Sequence, residues 1–199
     1  MDERRRRGAA GAATALVAFV LVYVVAVRTV TGQVADVRGF AQLQGGGELV
    51  SGVASVSRAV LPVVLAATCL VLGVLALRQH RVRDLVAAVL VAVLPLAVSG
   101  WLRDQVLVRP DLGDLGYAYN TMPSGHVSAT VGLAAAMVLL TPRASRRTVA
   151  AVAVGVVVVA CVASVVGHAH RPSDTLASVL LVGAVVGLVV AVLDVPTDR

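Results

Sequence analysis

Tyr119-Asn-Thr-Met-Pro-Ser-Gly-His-Val-Ser128 ends a polar loop and starts an apolar helix. Proline followed by a small polar residue is a helix-start signal. The 13 residues after Ser128 then run almost without functional groups to Thr141. Working outward, similar Val, Ala and Leu runs flank this stretch on both sides. Two further polar islands interrupt them, Trp101-Leu-Arg-Asp-Gln-Val-Leu-Val-Arg-Pro110 before it and His168-Ala-His-Arg-Pro-Ser-Asp174 after it.

Composition sets the solvent for such a chain. It is 58% hydrophobic and 14% charged, with mean hydropathy +0.91. A soluble domain has about 25% charged residues. There is too little polar surface here to face water, so lipid is the expected solvent. The length suits one domain, a single compact bundle over residues 1–199. Cys69 and Cys161 both lie in apolar runs and read as small buried hydrophobes. All 17 basic side chains are arginine, in short clusters between the apolar runs. That placement marks membrane topology and, with aromatics at 3%, argues against nucleic acid as a partner.

The expected fold class is an all-α integral membrane bundle of six transmembrane helices. The spans fall at about 12–30, 59–77, 85–102, 124–141, 149–167 and 175–193, each near the ~20 residues that cross a ~30 Å hydrocarbon core. The first run, preceded by Arg4 to Arg7, has the outline of a signal peptide. Its length favours an uncleaved span. Residues 31–57 contain Gly45-Gly-Gly47 and read as an extracytoplasmic loop or surface-lying segment. Pro62 is expected in the first turn of the second span, and Pro95 inside the third. Arginine is concentrated in the amino terminus, in 78–83 and in 143–147. By the positive-inside rule these regions and both termini are cytoplasmic. The polar islands then share the extracytoplasmic face.

Each island has a chemical reading beside a bland one. Free N–H groups and the helix dipole make the start at Ser124 an anion site, where Gly125 permits close approach and His126 can donate a proton. The bland reading is a capped helix with an interfacial histidine. His170 and Asp174 are four apart; a carboxylate beside an imidazole fixes its tautomer and leaves the other nitrogen for nucleophilic attack. Alternatively these residues only face water, or His168, His170 and Asp174 ligate a metal. Arg103 and Arg109 suit phosphate oxygens, or they snorkel at span ends, as expected for Arg28, Arg38 and Arg58.

Taken in order, Arg109-Pro110, Pro123-Ser-Gly-His126 and His170-x-x-x-Asp174 resemble the type 2 phosphatidic acid phosphatase superfamily, whose signature is KxxxxxxRP, PSGH and SRxxxxxHxxxD in a six-helix membrane bundle. The resemblance implies His170 as the nucleophile that becomes phosphohistidine, Asp174 as its orienting carboxylate and His126 as general acid. Arg109, Ser124 and the Gly125 backbone would hold the phosphoryl oxygens. It implies no metal or other cofactor. The substrate would be a lipid phosphate or pyrophosphate in the outer leaflet: polyprenyl pyrophosphate, phosphatidylglycerol phosphate or phosphatidic acid. Two positions depart from the signature. Leu102 stands where the family has lysine, with Arg103 one residue closer. Ala163-Ser164 stand where the family has Ser-Arg, with Arg171 as a substitute from another backbone position. The second departure keeps open a non-catalytic lipid-phosphate-binding or transport-associated protein.

Overall fold

A computed structural model describes residues 3–113, 115 and 119–194. The charged tail after the last apolar run lies outside them. Among the described residues the chain is helical, with no strand. Seven α-helices follow in order: α1 (Glu3–Val22), α2 (Val30–Gln42), α3 (Gly47–Arg78), α4 (Val82–Trp101), α5 (Gly125–Leu140), α6 (Arg146–Val166) and α7 (Pro172–Leu193). Short π-helical turns, Tyr23–Val27 and Leu102–Val106, extend α1 and α4 at the same end of the bundle.

Five of these helices, all except α2 and α5, are long and apolar enough to cross a membrane. At 16 residues, α5 covers about 24 Å at 1.5 Å per residue. It is nevertheless the centre of the bundle, packed against α3, α4, α6 and α7. At the other extreme, α3 has 32 residues and about 48 Å of length, so its first turns project beyond a ~30 Å core. Large apolar side chains face outward all around the bundle, Leu70 at 72% exposure among them. Lipid has to cover them.

Residues 31–57 are not a loop. The three glycines only turn the chain between α2 and α3, and the Val- and Ala-rich sequence on either side is helical. Pro62 accordingly lies inside α3 rather than in its first turn. Thr29 caps α2 by accepting from Gly32 N–H at 3.0 Å. A Cβ on Gly32 would collide with the Val25 carbonyl oxygen, so the fold of α2 back onto the end of α1 requires glycine there. α1 packs along α7 at similarly close range: a Cβ on Gly187 would stand 2.7 Å from the Gly8 carbonyl oxygen. Small residues at a helix contact let backbones approach where lipid supplies no hydrophobic drive.

This frame fixes two ends. At one, Arg81 bonds the Leu139 and Leu140 carbonyls at 3.1 and 2.8 Å, and Arg4 approaches Asp194 at 3.9 Å. The three sequence islands lie at the other.

Candidate functional site

The start of α7 is the densest point. Asp174, the third residue of the helix, is 0% exposed. Its Oδ2 accepts from Arg171 N–H at 3.0 Å, which closes the first turn, and from the Thr121 hydroxyl at 2.6 Å. His170 Nδ1 stands 3.5 Å from the same oxygen. That is the outer edge of hydrogen bonding, and it turns Nε2 away from the carboxylate. The backbone of His170 is set by α6, whose Ser164 carbonyl accepts from the His170 and Ala169 N–H groups at 3.2 and 3.1 Å.

Arg109 reaches this carboxylate from the loop after α4. Its Nη2 is 3.9 Å from Asp174 Oδ1 and 3.5 Å from Asp36 Oδ2, and the side chain is 2% exposed. Its Nε and Nη2 make no hydrogen bond. Burial first, and the neighbouring Arg171 guanidinium second, pull the Arg109 pKa below its ordinary value. The Asp174 and Asp36 carboxylates pull the other way.

Asp36 belongs to α2 and was not singled out from the sequence. Its carboxylate accepts from Ser173 N–H at 2.9 Å and from the Ser173 hydroxyl at 2.6 Å. Burial pushes its pKa up, against the pull of the Ser173 donors and Arg109. The amino-terminal part of the chain also clamps the Arg109 loop. Gln33 Nε2 donates to the Pro110 carbonyl at 2.9 Å, and the Tyr23 hydroxyl donates to the Val108 carbonyl at 2.9 Å. The only sequence signal for this was a buried-polar spacing, Gln33 and Asp36 on one helix face. Reading 31–57 from its glycines as a loop or surface-lying segment hides it.

α5 starts beside α7. Ser124 caps it by accepting from Val127 N–H at 3.4 Å, and its own N–H donates to the Asp174 carbonyl at 3.4 Å. The Ser178 hydroxyl ties the two helix starts together through the Ser124 and Asp174 carbonyls, at 3.1 and 2.8 Å. Arg103 Nη1 would stand 3.6 Å from a Cβ on Gly125, so its guanidinium lies over the helix start. Asp104 holds it there through Nε at 2.8 Å and Nη2 at 3.2 Å. His126 is exposed, interacts electrostatically with His170, and has Arg58 Nη1 3.2 Å from its Nδ1. Arg58 therefore does more than mark the interface.

The structure thus gathers His126, His170, Asp174, Ser124, Gly125, Arg103, Arg109 and Arg171 at one end of the bundle. It adds Asp36, Arg58 and Thr121. His168 is held edge-on to Phe40, ring centroids 6.3 Å apart. Among the described residues no group of three or more His, Cys, Asp or Glu side chains is placed to share a metal ion. Two helix starts, several guanidiniums and an imidazole whose Nδ1 faces a carboxylate suit a tetrahedral oxyanion and its transfer to nitrogen. Residues 101–197 match the family model of the PAP2 superfamily. No curated protein and no solved structure matches the chain.

Proposed function

This chain belongs to the PAP2 superfamily through residues 101–197, and from that premise we propose that it is an integral membrane phosphatase of six spans. It hydrolyses a lipid phosphate or pyrophosphate through a phosphohistidine on His170. The observation that carries this reading is the Asp174 carboxylate, which is linked at once to His170, to Arg109 and, through the helix starts, to Ser124.

His170 Nε2 attacks phosphorus while Asp174 stabilises the imidazolium that forms at Nδ1. The bond to the leaving oxygen breaks, and His126 gives that oxygen the proton from its Nε2. Water, deprotonated by His126, then attacks the phosphohistidine and releases inorganic phosphate. Arg109, Arg171, Arg103, Ser124 and the Gly125 N–H stabilise the charge on the equatorial oxygens, the task given elsewhere to metal ions. Arg103 takes the place of the lysine missing at Leu102. The arginine-rich segments lie at the far end of the bundle. Under the positive-inside rule this supports cytoplasmic termini and a site on the extracytoplasmic face, where a tailed substrate stays in the outer leaflet.

The test is phosphate release, in EDTA, from polyprenyl pyrophosphate, phosphatidylglycerol phosphate and phosphatidic acid presented in nanodiscs. The wild type is expected to turn over at least one of them. Full activity in His170→Ala would remove the assigned nucleophile. Tight binding without release would instead support the non-catalytic reading raised by Ser164.

A further inference from the structure

Arg58 sits where α3 passes from its projecting turns into its long apolar run, four residues before Pro62. Its side chain is half-buried, and Nη1 lies 3.2 Å from His126 Nδ1. Its Nε is buried without a hydrogen-bond partner. Among the described residues no carboxylate lies within ion-pair distance of it. A guanidinium has only donors, so Nδ1 must be the acceptor, and the imidazole is held in its Nε2–H tautomer. A neutral ring nitrogen is a poor partner for a half-buried cation with no counter-charge.

Two other arginines of the site differ. Arg103 faces Asp104, and Arg109 faces Asp36 and Asp174. Those two guanidiniums already have carboxylates beside them, so a phosphoryl dianion gains from a further positive charge that has none. Arg58 carries it, on the helix that packs against both α5 and α6.

We propose that Arg58 is a phosphoryl-binding side chain of this site, one that moves from His126 onto the substrate's phosphoryl oxygens when the lipid phosphate docks. The inference rests on the phosphatase reading and adds to it a residue from outside the matched segment. It also orders events. With Arg58 on the phosphate, His126 Nδ1 is free to take a proton from solvent, and the ring can then pass its Nε2 proton to the leaving oxygen. Docking thereby arms the acid. Ser164, buried and lacking the guanidinium that the family pattern has there, leaves this task to a side chain from another helix.

Orthovanadate titration and lipid-phosphate kinetics on the full-length protein test this, with the thermal midpoint as a check on folding. Arg58→Gln is expected to raise KM and weaken vanadate inhibition at least about tenfold, the loss of a charge-assisted contact. Arg58→Lys, a point charge without the fork, recovers part of it. Arg78→Gln, at the opposite end of the same helix, matches the wild type. A folded Arg58→Gln with unchanged KM and vanadate affinity overturns the inference. If that variant loses its fold, unchanged constants in Arg58→Lys overturn it instead. A wild type that neither hydrolyses lipid phosphates nor binds vanadate overturns the phosphatase reading along with it.

Discussion

The two ends of α5 carry arginines in opposite states. At its carboxyl end, Arg81 donates to the Leu139 and Leu140 carbonyls and, through Nε and Nη2, to Asp84 at 2.9 and 2.6 Å. Arg146 adds a bond to the Leu139 carbonyl at 3.0 Å. Those guanidiniums answer orphan carbonyls and the negative end of the helix dipole. At the amino end, Arg109 has carboxylates near but no hydrogen bond at Nε or Nη2, and Arg58 rests on an imidazole. The helix dipole is positive there as well, so neither cation gains from it, and Arg58 has no carboxylate beside it among the described residues. Arginine at a helix end is therefore structural where its donors meet backbone and functional where they do not.

Three changes would break or sharpen that contrast. The largest effect is expected from Arg109→Lys. Losing the planar fork should lower kcat/KM by about 10²-fold, with a thermal midpoint close to wild type. A loss of stability with unchanged kinetics would mean that Arg109 is structural after all. Next, Arg81→Ala strips the carbonyl cap and the Asp84 pair, and should cost about 2 kcal/mol of stability while KM stays the same. A rise in KM there would erase the distinction between the ends. The smallest effect concerns Asp36. Its folded pKa is raised, so between the ordinary carboxylate value and that raised value the folded state holds more protons than the unfolded one. Stability from this group is therefore lost as pH rises through that window. Thermal midpoints measured from pH 4 upward should show this decline in the wild type and lose it in Asp36→Asn. An unchanged slope in the variant would assign the effect elsewhere.

The sequence disclosed the matched half of the chain much better than the rest. Pro123-Ser-Gly-His126 and His170-Arg-Pro-Ser-Asp174 are local strings whose geometry is set by helix capping. Ser124 and Asp174 reach only three residues along the chain to do it. Asp36 and Arg58 act across 137 and 68 residues, on Ser173 and His126. No local pattern announces such pairings. In the segment holding Asp36, Gly45-Gly-Gly47 suggests a loop or surface-lying stretch, and the structure excludes the loop: those glycines only join two helices. Pro62 was misplaced for the same reason: once α3 begins at Gly47, the proline is interior. Five of the six apolar runs are legible as spans, because lipid as solvent leaves helix as the only way to satisfy the backbone, while α5, at 16 residues, is shorter than a span.

The central claim is covalent: phosphorus passes through the nitrogen of His170. The direct measurement is a rapid alkaline quench of the enzyme during turnover of a ³²P-labelled lipid phosphate, followed by peptide mapping. The account predicts acid-labile, base-stable label on the peptide containing His170, and none in His170→Ala. Label on another residue, or turnover at the wild-type rate with no label captured, would contradict it.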